Sequence, residues 1–164
     1  MNKYSGILKI WKDLVSLMLI LIFLGSCQPT TNTRGITNEN GKPVRKAEIY
    51  YDKEEKAIVF AAEELAEILS NLGTKVTMNP LNNLPETPDG TYVVISKNNS
   101  TILEKLKTEG GQTVEQMDEQ DYALRVTGKD KNKGYWAIGG DRIGAMYGGI
   151  HLGEIVSSGD LSNI

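Results

Sequence analysis

Cysteine and histidine are almost missing from this chain of 164 residues, which has one of each, Cys27 and His151. A lone cysteine excludes an intramolecular disulfide and any cysteine-based metal site. A lone histidine excludes a multi-histidine metal centre and leaves no second imidazole in reserve for a histidine-dependent triad. No metal and no cofactor are expected, and the fold must rest on its core. An excess of positive charge is also lacking: 18 Lys and Arg stand against 21 Asp and Glu, and residues 27–164 hold 15 against 20. That balance disfavours nucleic acid as a partner. The one lysine cluster, Lys129, Lys131 and Lys133, is interrupted by Asp130 and Asn132 and reads as a solvated hairpin turn. Gly139-Gly140 before a helix fits neither a dinucleotide nor a Walker pattern, and Asp141 puts a negative charge where a phosphate would sit.

No apolar run reaches spanning length. The longest, Leu14 to Leu24, follows Lys3, Lys9 and Lys12 and ends in Leu24-Gly25-Ser26-Cys27, the form of a bacterial lipobox. Residues 1–26 are therefore expected to be a lipoprotein signal peptide. Cys27 would carry the lipid, because small residues before it suit the peptidase and its thiol and freed amine take acyl chains; two or more chains make a stable anchor. The expected location is the bacterial cell envelope, facing away from the cytoplasm. Residues 27–45, rich in Thr, Asn, Pro and Gly, read as the lipidated cysteine and a tether.

The apolar share of 40% supports one ordinary core, expected over residues 46–158 with a short tail at 159–164. Ala47–Tyr51 reads as a first strand. A helix over residues 53–72 follows, with Ile58, Ala61, Leu65, Ile68 and Leu72 as its core stripe and Gly73 as its left-handed stop. Lys75–Met78 is a short strand, and the nearly unbroken apolar run Thr91–Ser96 is a strand buried on both faces. A helix over 99–108 ends at Gly110-Gly111. Tyr122, Leu124 and Val126 then alternate with more polar residues in a strand, residues 128–134 form the turn, and 135–138 the return strand. Asp141 is the N-cap of a helix over 142–156. This order predicts an α/β (α+β) two-layer sandwich: a small mixed or mostly antiparallel sheet with helices packed on one side. Strand order does not follow from the pattern.

Two segments carry a family resemblance: Asp121-Tyr-Ala-Leu-Arg-Val126, and Ile138-Gly-Gly-Asp-Arg-Ile-Gly-Ala-Met-Tyr-Gly-Gly-Ile-His-Leu-Gly-Glu-Ile-Val156. They resemble the end of the N-terminal α/β domain of bacterial α-glucuronidases, which is similar to the second domain of β-hexosaminidases. Asp141, Gly144, Tyr147, Gly148 and Leu152 match that family's pattern, as structural rather than catalytic positions. The resemblance implies a non-catalytic accessory domain of a glycoside hydrolase, whose catalytic carboxylates lie in a following barrel. Eight residues after Val156 leave no room for a barrel, so a separated or truncated piece is expected, partnered in a full-length relative by that barrel.

No catalytic residues are assigned. A glycosidase needs two carboxylates about 5 to 9.5 Å apart across one sugar; Asp118, Glu119 and Asp121 cluster in a polar loop, and Glu154 follows surface spacing on a helix. The competing class is a stand-alone carbohydrate-binding or interaction lipoprotein, with a glycan as partner, for which Tyr135, Trp136 and Tyr147 are candidate stacking residues. Core packing explains these aromatics better. On the last helix, Ile143, Met146, Tyr147 and Ile150 form a stripe suited to the sheet. Ala145, Gly149, Leu152 and Val156 form a second stripe, expected to be partly exposed as a docking face.

Overall fold

The structure is a computed structural model and describes residues 45–114, 116–129 and 131–159. Residues 1–26, expected as a signal peptide, Cys27, the expected tether up to residue 44 and the tail beyond Gly159 lie outside the described residues. The described residues form, in chain order, β1 (Arg45–Tyr51), α1 (Lys56–Asn71), β2 (Thr74–Pro80), β3 (Thr91–Lys97), α2 (Ser100–Thr108), β4 (Tyr122–Lys129), β5 (Asn132–Gly139) and α3 (Arg142–Ser158), with a 3-10 turn at Leu81–Asn83. The sheet order is β2-β1-β3-β5-β4. β1 pairs in parallel with β2 and β3, β3 in parallel with β5, and β4 antiparallel with β5. The mixed-sheet α/β sandwich expected from the sequence is the observed architecture.

The alternation of side chains along the strands divides the core in two. On one face, Ile49, Val93, Ile95 and Ala137 pack against Ile58, Ala62 and Leu65 of α1 and Ala145 and Leu152 of α3. On the other, Tyr50, Tyr92, Val94, Trp136 and Ile138 pack against Ile102 and Leu106 of α2. All helices were expected on one side; α2 instead covers the second face. The physical reason lies in β3, whose Tyr92 to Ser96 are all buried, so both faces of the central strand need a cover.

Helix α3 overturns the stripe assignment. Gly144, Ala145, Gly148, Gly149, Leu152, Gly153 and Ile155 are its buried residues, whereas Tyr147 is 44% exposed. Small residues, together with Leu152 and Ile155, face inward, and the expected sheet-facing stripe of Ile143, Met146, Tyr147 and Ile150 does not. A Cβ on Gly149 would lie 2.9 Å from the Ala61 Cβ, and one on Gly153 would lie 2.9 Å from Ile68 Cδ1, so α1 and α3 approach too closely for side chains. Close approach within the chain recovers the roughly 1 kcal/mol of helix propensity that each glycine loses relative to alanine. The expected docking stripe is correspondingly mostly internal: Leu152 is buried in the core, and only Val156 is half-exposed, lining a groove with Leu69 and Leu72.

Two boundaries also move. Helix α1 ends at Asn71, and Leu72, expected in its core stripe, is 51% exposed; Gly73 takes the expected left-handed conformation with φ of 80°. The hairpin ladder is longer than expected: it runs out to the pair Lys129 and Asn132, into the stretch 128–134 expected as the turn.

Candidate functional site

The parallel strands β1, β2 and β3 end at one edge of the sheet, and there the chain departs in two directions. From β1 it runs through α1 to β2 on one side, and from β3 through α2 towards β4 on the other. Loops that leave neighbouring parallel strands in opposite directions open a crevice between them, the usual ligand position in an open α/β sheet. A cleft of about 450 Å³ occupies this position, with Asp52 after β1, Asn82 after β2, and Asn99 and Thr101 after β3 among its walls. Leu81 and Ile102 give it apolar surface.

Two of these polar groups are fixed by the backbone. The Asp52 carboxylate accepts from the Glu54 N–H at 3.2 Å through Oδ1. Asn99 is the N-cap of α2: its Oδ1 accepts from the Ile102 N–H at 3.0 Å, and its Nδ2 donates to the Lys97 carbonyl at 3.3 Å. Beside the cleft, Lys97 Nζ lies 2.5 Å from Glu55 Oε1, joining the last residue of β3 to the N-cap of α1. The hydrogen bond from Lys97 holds the Glu55 carboxyl below its ordinary range, and the same bond raises the Lys97 ammonium.

The residues that carry the family resemblance lie elsewhere and act on the fold itself. Asp141 Oδ1 accepts three backbone N–H bonds, from Gly144 at 2.7 Å, Ile143 at 3.0 Å and Gln120 at 3.2 Å. These bonds, the one from Gly144 foremost, lower its pKa. They also tie the start of α3 to the loop before β4, where Gln120 is held at a φ of 66°. At Gly144 that loop comes so close that an added Cβ would lie 2.1 Å from the Asp121 carbonyl oxygen. Gly148 packs against Ala137 and the Tyr122 ring, and Leu152 is in the core. Tyr147 alone of the five points outward, and nothing in the fold requires its ring.

The carboxylates considered from the sequence are not brought together in a cleft. Asp121 Oδ2 accepts from the Asp118 N–H at 3.0 Å, which closes the loop on itself, and Glu119 and Glu154 are exposed. His151 is half-buried, with Nδ1 3.0 Å from the Tyr122 hydroxyl and the two rings edge to face at 5.8 Å. No cluster of three or more His, Cys, Asp or Glu suited to a metal ion occurs among the described residues.

Neither a family model nor a curated protein matches the chain. Among solved structures it has a weak likeness to a glycoside hydrolase, a GH138 enzyme targeting pectin rhamnogalacturonan II. Sequence identity is 17% and the TM-score 0.43; the likeness covers 70% of this chain and 14% of that one. This chain therefore spans a small part of that enzyme's length.

A second polar group, which the sequence does not reveal, is buried on the α2 face. Trp136 Nε1 donates to Thr127 Oγ1 at 3.0 Å, the Tyr92 hydroxyl lies 3.1 Å from the same oxygen, and Thr127 Oγ1 donates to Glu109 Oε2 at 3.3 Å. A hydroxyl has one proton and two lone pairs, so once Thr127 gives its proton to Glu109, Tyr92 must be a donor. Gly134 makes the arrangement possible, since a Cβ there would lie 2.2 Å from the Tyr92 hydroxyl. Glu109 Oε1 sits 3.2 Å from Lys105 Nζ. Burial pushes the Glu109 carboxyl up, against the hydrogen bond from Thr127, and pushes the Lys105 ammonium down, against the nearby charge of Glu86. Spacing alone could not unite these residues, which come from β3, α2, β4 and β5.

Proposed function

We propose that this chain is the non-catalytic N-terminal α/β domain of a lipid-anchored glycoside hydrolase of α-glucuronidase or β-hexosaminidase type. One observation carries the reading. The segment from Asp121 to Val156, on which the resemblance rests, forms a continuous hairpin and helix, and four of its five pattern residues work inside the fold: Asp141 caps, Gly144 and Gly148 admit neighbouring backbone and ring, and Leu152 fills the core. Those are the duties of a scaffold. The active centre of the complete enzyme would then lie in a barrel outside this chain, and the enzyme would act on carbohydrate at the cell envelope. Lipidation at Cys27 supplies the anchor in this reading.

Two measurements test it. The purified chain should turn over no aryl-glucuronide or aryl-hexosaminide, and turnover abolished by substituting a single carboxylate overturns the accessory role. In cells fed a labelled fatty acid, the wild-type chain should take up label and Cys27→Ser should not. Equal label in the two sinks the anchor.

A further inference from the structure

We propose that the cleft at the carboxyl edge of β1, β2 and β3 binds a neutral polyhydroxylated molecule of monosaccharide size. Its position follows from the topology: the chain reverses its direction of winding between β1 and β3, and the crevice at such a point is where open α/β sheets hold ligands. Its volume of about 450 Å³ is in the range of small-molecule sites.

The chemistry of the walls selects the class of ligand. Asp52 uses Oδ1 on the Glu54 N–H, which orients the carboxylate and leaves Oδ2 to accept a ligand hydroxyl. Asn99, held through both ends of its amide, shapes the wall. The Asn82 amide and the Thr101 hydroxyl make no side-chain hydrogen bond to the described residues, so each can both give and take one at the ligand. A ring bearing several hydroxyls satisfies this mixture of donors and acceptors, and Leu81 and Ile102 face its C–H surface.

Charge argues against an anion. Asp52 and Glu54 outnumber Lys53 among the lining residues, and Lys97 beside the cleft is taken by Glu55. A phosphate or carboxylate entering here meets two carboxylates against one exposed lysine among the lining residues. A sugar hydroxyl meets the same carboxylates as a donor to a charged acceptor, one of the stronger hydrogen bonds available in water. The inference stands on this cleft and does not depend on the anchor or on a missing barrel.

The test is a titration of the full chain in detergent, followed by backbone amide NMR. Methyl β-glucoside and methyl β-galactoside are the neutral probes, with methyl β-glucuronide and inorganic phosphate as anionic ones. A neutral glycoside should give saturable shifts confined to residues 52–55, 81–82 and 99–102. Asn82→Ala and Thr101→Val should each weaken binding about threefold to tenfold, the loss of one hydrogen bond, with the remaining spectrum unchanged. Absence of saturable shifts for both neutral probes refutes the proposal. So do shifts centred on the exposed aromatics Tyr122 and Tyr147, tighter binding of either anion, or unaltered affinity in both variants. Glycoside hydrolysis by the chain would bear on the accessory role and leave this result untouched.

Discussion

Replacing Thr127 by Val keeps the shape of the side chain and removes one oxygen on which three residues depend. Thr127 is 3% exposed, Tyr92 3% and Trp136 0%, so the hydroxyl's partners have little access to water. The change takes the acceptor from the Trp136 indole N–H and the Tyr92 O–H, and the donor from Glu109. A buried donor left unpaired costs about 1–3 kcal/mol. Trp136 bears that cost in full, whereas Tyr92 lines a cleft shared with Glu109 and Asn132 and can turn its hydroxyl towards solvent there. The expected loss is about 2–4 kcal/mol, measured by urea unfolding followed by circular dichroism. Thr127→Ser keeps the hydroxyl and should lose about 1 kcal/mol, the value of one buried methyl. In a Trp136→Phe background the cost of Thr127→Val should shrink, because the main orphaned donor is gone. A Val variant within about 0.5 kcal/mol of wild type, or equal costs for Ser and Val, would refute the hydrogen-bond reasoning.

Gly144→Ala separates helix propensity from packing. Propensity alone favours alanine by about 1 kcal/mol, but the new Cβ meets the Asp121 carbonyl, which is backbone and cannot swing aside. Net destabilisation of about 1–3 kcal/mol is expected in the same unfolding assay, and any gain in stability refutes the contact. Glu109→Gln should flatten the dependence of stability on pH. Burial raises the folded-state pKa of this carboxyl above the unfolded value, so the folded chain holds the proton more tightly; the resulting stabilisation is complete below the unfolded pKa and is lost as pH rises through the folded one. Subtracting the variant's profile from wild type, measured from mildly acid to neutral pH, should therefore leave a curve that falls with pH, and a rising or flat difference contradicts the assignment.

Local signals in the sequence carried far. Asp141 is legible as a cap because a short acidic side chain ahead of an apolar helix has one natural use, and Gly73 as a stop because glycine tolerates the left-handed turn. The run from Thr91 to Ser96 announced a strand buried on both faces, and only the consequence was missed: a strand apolar on both sides calls for helices on both sides. Helix α3 is apolar nearly all round, so neither bulk nor periodicity along it marks the inner face. Close packing selected the glycines instead, which depends on where α1 lies and cannot be read along α3. Strand order escaped for the same reason, since the parallel partners of β1 are distant in the chain. So did both polar groupings, the cleft at the carboxyl edge and the set around Thr127, whose members meet only after the sheet is assembled.

The sheet order also sets a timetable for folding. The central strand β3 receives one neighbour, β1, from residues far upstream and the other, β5, from residues far downstream, as in the pairs Ala47 with Thr91 and Tyr92 with Gly134. The hairpin of β4 and β5 closes over a very short loop, while every parallel pairing must first bring remote stretches together, and such distant closures are slow. A chain emerging from its amino end can make β1, α1, β2 and β3, yet Trp136 and Leu152 arrive only with the final third of the sequence. Until they do, both faces of β3 lack part of their cover. The carboxyl-terminal hairpin and helix thus complete the fold late, and a nascent chain stalled before Asn132 would present Val93, Val94 and Ile95 to whatever chaperone holds it.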